Sequence, residues 1–102
     1  MWILQNADSV EGPLTFRLTS GAVKTLGCAP RADFIVDAAA LVSRLHCRLT
    51  ATDDRIEVVD LKSTNGTFVN GKRVDRAQLA SGDRLRVGRL ELSVEKKTNP
   101  TV

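Results

Sequence analysis

Aromatic side chains are scarce in this chain: one Trp and three Phe make up 4% of its 102 residues. None is interleaved with the basic residues as a stacking platform for nucleic acid requires, which argues against direct nucleic-acid binding. The net charge is only +3, which suits an acidic partner and otherwise describes a solvated basic surface. No apolar run approaches the length of a membrane-spanning helix, so no membrane partner is expected. No basic region precedes the short apolar stretch in "MWILQNADS", so it does not read as a secretion signal. Cys28 and Cys47 are the only cysteines, and without a secretion signal they read as free intracellular thiols. Their spacing from the single histidine, His46, matches no metal-ligand pattern, so neither a metal nor another cofactor is expected.

Apolar residues make up 42% of the chain and charged residues 26%, the mixture of one ordinary globular domain. Met1 leads straight into a strand pattern and reads as a true N-terminus. The domain is expected to span 1–96, with 97–102 a polar tail or the start of a linker into a longer protein. Alternation at Leu14, Phe16 and Leu18, at Leu85 and Val87, and at Leu90, Leu92 and Val94 has the period of strands. Short apolar runs at 2–4, 34–36, 47–49 and 56–59 add more, and turn signals punctuate the gaps, among them Glu11-Gly12-Pro13, Ala29-Pro30 and Ser81-Gly82-Asp83. The one helix-like stretch, "DAAALVSRL", is too short and poorly capped to change the pattern. Ten or eleven short strands imply an all-β fold, an antiparallel sandwich or barrel. In such a fold function falls to loops at one end.

Three loops are rich in polar residues. In "VSRLHCRL", Ser43 offers a hydroxyl and Arg44 a planar five-donor fork, a pair able to hold phosphate oxygens. A turn hydroxyl and a solvated arginine are the plainer alternative. His46 lacks the nucleophile elbow and oxyanion loop of a hydrolase, so it reads as a scaffold residue and the chain as no enzyme. In "DLKSTNGTFVNGKRV", two Asn-Gly pairs each carry a strong hairpin signal. Hairpins explain the glycines but not the cluster on the first turn: Lys62 with a point charge, Ser63 and Thr64 with hydroxyls, Asn65 with an amide suited to gripping an extended peptide.

Gly27, "VSRLHCRL", "DLKSTNGTFVNGKRV" and "LASGDRLRVG" resemble, in order and spacing, the signature of forkhead-associated (FHA) domains, across about Leu14 to Val94. That resemblance implies an eleven-stranded β-sandwich that binds a phosphothreonine-containing partner protein. It implies that Ser43 and Arg44 hold the phosphate, that Thr64 assists and that Asn65 binds the peptide backbone. Gly27, His46, Gly66 and Asn70 would shape the loops. The start at "MW" is also similar to nibrin and related DNA-damage mediators, which implies a nuclear protein of genome maintenance.

One position departs from the pattern. Where the family has an arginine after the glycine, this chain has Cys28, which offers no positive charge. The missing contact to a charged group should cost about 1.5 to 3 kcal/mol, roughly ten- to a hundred-fold in affinity. It also opens an alternative, a degenerate FHA scaffold with weak or no phosphothreonine binding that acts through homodimerisation. Arg31, three residues on, is a candidate to swing in for the missing arginine, but the turn Ala29-Pro30 gives it a direction that the sequence does not disclose.

Overall fold

The computed structural model of the chain describes residues 1–6, 15–36 and 41–97. The turn expected at Glu11-Gly12-Pro13, Leu14, residues Asp37 to Ala40 of the helix-like stretch, and the tail from residue 98 lie outside the described residues.

Two sheets pack face to face. The first has the order β2 (Thr15–Leu18), β1 (Trp2–Asn6), β11 (Leu90–Lys96), β10 (Arg84–Val87), β7 (Thr67–Val69), β8 (Lys72–Val74). The second has the order β4 (Phe34–Ile35), β3 (Val23–Gly27), β5 (Cys47–Ala51), β6 (Ile56–Asp60), β9 (Arg76–Leu79). The fold is all-β, a sandwich of six and five strands.

Alternation builds the core. Cross-strand partners share a face, and the pairs Leu4 with Val94, Leu85 with Leu92, and Leu49 with Val58 all point inward and are fully buried. Between them Arg84 pairs with Ser93 and Arg86 with Glu91 on the outer face, where the Arg86 guanidinium lies 4.1 Å from the centre of the Phe68 ring. At one side of the sandwich Phe16 of β2 stacks on Phe34 of β4, centroids 4.6 Å apart, so an edge strand of one sheet meets an edge strand of the other. Trp2, only 1% exposed, donates its indole N–H to the Thr52 carbonyl at 2.8 Å and thereby ties β1 to the β5–β6 turn of the opposite sheet.

Two features differ from the expectation. Not every pairing is antiparallel: β3 and β4 run parallel, with Leu26 opposite Phe34. The Asp33 carboxylate accepts the Thr25 amide at 2.9 Å, which returns the chain to a point one residue behind Leu26, and from there it can only travel alongside β3. The two Asn-Gly pairs also have different fates. Asn70-Gly71 closes the β7–β8 hairpin with both residues at positive φ, 51° and 83°, the twist a two-residue loop prefers. Asn65-Gly66 closes no hairpin. It lies on the passage from β6 in the second sheet to β7 in the first.

The Trp2 anchor yields a test of packing. Trp2→Ala should lower stability by about 3 to 5 kcal/mol, whereas Trp2→Phe, which keeps an aromatic ring but loses the N–H and part of the indole, should cost about 1 to 3 kcal/mol. Urea unfolding followed by circular dichroism distinguishes the two, since the chain has no second tryptophan to report by fluorescence.

Candidate functional site

Strand register gathers three loops at one end. Leu26, Cys47 and Asp60 lie in one row across β3, β5 and β6, so the loops 28–33, 41–46 and 61–66 all leave or enter the sheet from that row. The row continues one residue further: the His46 amide donates to the Leu26 carbonyl at 2.8 Å and the Leu61 amide to the His46 carbonyl at 2.9 Å.

His46 joins two of these loops from below. Its Nδ1 accepts the Ser43 amide at 3.0 Å, so that nitrogen carries no proton and Nε2–H donates to the Gly66 carbonyl at 2.8 Å. The ring is fully buried. Burial pushes its pKa below the ordinary value, against the opposing pull of the Gly66 carbonyl and the Asp60 charge, and a neutral ring is what the two hydrogen bonds require.

Asp60 holds the second loop. Its Oδ2 accepts the Ser63 amide at 3.1 Å, while Oδ1 accepts the Ser63 hydroxyl and the Thr67 hydroxyl at 2.7 Å. Burial alone would raise this carboxyl, but the hydrogen bonds from Ser63 and Thr67, with His46 nearby, together bring it below its ordinary value. Ser63, grouped by sequence with the binding residues, is buried under the loop, and its hydroxyl oxygen also accepts the Gly66 amide at 3.1 Å. Its hydroxyl is fully committed there. Neither Asp60 nor Thr67 was singled out from sequence, although an acid three residues before a serine is a familiar turn-closing signal.

Two glycines are required by geometry. A Cβ on Gly27 would sit 2.0 Å from the Arg44 carbonyl oxygen, because β3 runs into direct backbone contact with the Ser43-Arg44 segment. The Cys28 amide donates to the Ser43 carbonyl at 3.1 Å and the Ala29 amide to the Arg44 carbonyl at 3.0 Å. Gly66 has φ +90°, in the region glycine tolerates best. Asn70 is not part of this cluster. It lies at the far end of β7, about 10 Å away at the usual rise per residue, where its side chain accepts the Arg84 amide at 2.9 Å and donates to Asp83 at 3.1 Å.

Above this base sits a surface of donors. Ser43 Oγ accepts the Thr64 amide at 3.0 Å, which leaves the hydroxyl hydrogen of Ser43 without an acceptor among the described residues. Asn65 donates one amide hydrogen to the Leu41 carbonyl at 2.9 Å, with Leu41 held at φ 59°. Arg44, Lys62, Thr64 and Asn65 are exposed. No described residue pairs with the Arg44 guanidinium, the Lys62 ammonium or the Thr64 hydroxyl. Beside them a shallow depression of about 400 Å³ is lined by Ala29, Pro30, Arg31, Arg44 and Leu45. Surplus donors without acceptors suit an anion with several terminal oxygens.

Cys28, half-buried at the rim, and Cys47 are both free thiols. Cys47 is fully buried in the core, and burial, helped by the Asp60 charge, pushes its thiol up to about 12. Among the described residues no group of three or more His, Cys, Asp or Glu side chains is placed to hold a metal ion.

A family model for the FHA domain matches residues 24–88. The ABC transporter ATP-binding/permease protein Rv1747 of Mycobacterium tuberculosis is 43% identical over 79% of this chain, which spans 9% of that protein. The glycogen accumulation regulator GarA of the same organism is 37% identical over 74% of the chain, and the match spans 46% of GarA. A solved structure described as a structural and functional analysis of phosphothreonine-dependent FHA domain interactions superposes with TM-score 0.79 at 32% identity, covering 96% of this chain and 98% of that one. Further relatives are corynebacterial. These relatives overturn the nuclear placement, since bacteria have no nucleus. With it the nibrin likeness and the DNA-damage role lose their support, having rested on the two residues Met1 and Trp2 and their position. Homodimerisation gains no support from the comparisons either.

Two outcomes test the base of the site. Gly27→Ala should destabilise the domain by about 2 kcal/mol or more, because backbone, not a side-chain tip, must give way. For His46 the folded chain prefers the neutral ring, so its contribution is complete above the ordinary value of 6.5. It falls as pH drops below that value, since the unfolded chain then takes up a proton the folded chain resists. Urea midpoints at about pH 7.5 and about pH 5.5 should differ in the natural chain and converge in His46→Gln, the only histidine being gone.

Proposed function

Because the chain belongs to the FHA domain family, we propose that it binds phosphothreonine-containing segments of a partner protein through its 41–46 and 61–66 loops. One observation carries this reading: the Thr64 amide bonded to Ser43 Oγ, which closes the two loops together while leaving the serine proton free to donate. Ser43 and Arg44 then grip the phosphate, Thr64 adds its hydroxyl, and Lys62 supplies a second positive charge from the rim. Asn65 has Oδ1 and one amide hydrogen to offer to an extended backbone, a matched acceptor and donor. Ser63 and Asp60 act beneath, with Gly27, His46 and Gly66, as the support that fixes these positions, and Asn70 steadies the neighbouring β7–β8 hairpin.

The domain acts as a recognition module rather than as an enzyme. A segment similar to this chain forms 9% of a transporter and 46% of a regulator, which supports a unit that lends partner recognition to different proteins. Phosphothreonine reading is favoured over a degenerate scaffold because the scaffold alternative needs no unspent donors, whereas the two loops present the Ser43 and Thr64 hydroxyls, the Arg44 and Lys62 charges and one Asn65 amide hydrogen.

Calorimetry with a degenerate phosphothreonine peptide pool and its unphosphorylated control tests the proposal. The natural chain should prefer the phosphorylated pool, and Arg44→Ala should abolish detectable binding. Arg44→Lys should also be weak, since a point charge does not replace a bidentate fork. Ser43→Ala and Asn65→Ala should each cost about 1 to 3 kcal/mol. Affinity should decline with added salt. Equal binding of both pools by the natural chain would overturn the assignment.

A further inference from the structure

We propose that Arg31 supplies the phosphate contact that Cys28 cannot make, so that the site reads its phosphate with a guanidinium carried three residues further along the loop. The inference rests on the phosphothreonine reading above and gives Arg31, whose direction the sequence left open, a place at the site.

The loop's geometry sets where Arg31 stands. The Ala32 amide donates to the Ala29 carbonyl at 3.0 Å, closing a four-residue turn with Pro30 at its second position, where the fixed φ of proline fits. Ala29 and Ala32 are buried, at 4% and 6% exposure, and anchor the ends of the turn. Pro30 and Arg31 are left on the outside. The whole turn is held against the phosphate-facing segment by the backbone bonds from Cys28 to Ser43 and from Ala29 to Arg44. As a result Arg31 and Arg44, the residue that follows Ser43 in the chain, line the same depression of about 400 Å³.

Electrostatics add a second, independent observation. Among the described residues the only ion pairs are Arg84 with Glu91 and Lys97 with Glu95, so neither guanidinium group at the depression has a counter-ion among those residues. The nearest acid of the loop, Asp33, is turned away and spent on Thr25, whose amide and hydroxyl it engages at 2.9 Å and 3.2 Å. Two like charges on one concave surface repel each other. A phosphate monoester carries close to two negative charges at neutral pH and would relieve both. The thiol of Cys28 offers no charge for that role, whereas Arg31 lies on the depression together with Arg44.

Calorimetry with the degenerate phosphothreonine pool, run on the natural chain, Arg31→Ala, Cys28→Arg and the double variant, tests this. Arg31 is exposed, so its replacement should leave the unfolding midpoint unchanged. Arg31→Ala should weaken binding about ten-fold or more, the loss expected for one hydrogen bond to a charged group. Cys28→Arg should restore most of that loss in the Arg31→Ala background but add little to the natural chain, because two residues serving one contact are not additive. Three results would overturn the proposal. Arg31→Ala within two-fold of the natural chain, with Arg44→Ala still abolishing binding, would remove Arg31 and keep the phosphothreonine reading. An equal gain from Cys28→Arg in both backgrounds would show two separate contacts. No preference of the natural chain for the phosphorylated pool would remove the reading and the role of Arg31 together.

Discussion

The imidazole of His46 is the constraint on which the candidate site depends. One nitrogen accepts the Ser43 amide and the other donates to the Gly66 carbonyl, so a single buried ring sets the separation of two loops contributed by different strands. The arrangement needs a neutral ring of one tautomer, and burial in a row of core residues favours that form. Asp60 complements it from the next strand by satisfying Ser63 and Thr67 together. No buried side-chain nitrogen or oxygen among the described residues lacks a partner. That matters because a half-satisfied polar network at this position would cost more than an apolar core.

The sandwich makes this economical. Rows of partners across β3, β5 and β6 already place Gly27, His46 and Leu61 side by side, so loop positions follow from strand register and little extra ordering is needed. The backbone of Gly27 runs so close to the Arg44 carbonyl that no side chain fits between them. The polar base is therefore built from the same hydrogen-bond ladder that holds the second sheet, and the loops inherit its rigidity.

Much of this was legible in the chain itself, and the failures have physical causes. Leu85 with Val87 and Leu90 through Val94 could be read as strands because period-2 burial is a local property. Asn70-Gly71 could be read as a hairpin because its turn conformation is local too. The identical dipeptide Asn65-Gly66 could not be told apart from it: what distinguishes the two is that β6 pairs in one sheet and β7 in the other, a long-range fact. The same limit applies to the parallel β3–β4 pair, which follows from a carboxylate returning to Thr25. Ser63 looked equivalent to its neighbour Thr64, since both are hydroxyls in a polar loop. Only the position of Asp60 turns one inward while the other stays exposed. The nuclear assignment failed for a different reason, as Met1 and Trp2 carry information about packing, where Trp2 seals the core, and none about cellular setting.

The substitution at position 28 shows how support and recognition are separated in this fold. What the scaffold takes from that residue is its backbone N–H, donated to the Ser43 carbonyl, and any residue other than proline can provide it. What recognition takes is a side chain, and that alone is changed in Cys28. Loop shape is thus insulated from the loss: the turn Ala29–Ala32, the Gly27 contact and the His46 bridge all persist with a thiol at the rim. A charge can be moved along such a loop without rebuilding the site, provided the turn points the new side chain into the same depression. The buried Ser63, Thr67 and His46 and the half-buried Asp60 have no such freedom, because each spends its polar atoms on at least one of the others or on the backbone between them. Under the proposed phosphothreonine reading, variation should therefore concentrate at the exposed Arg31, Lys62 and Thr64, while Arg44 and the hydrogen-bonded layer beneath stay fixed.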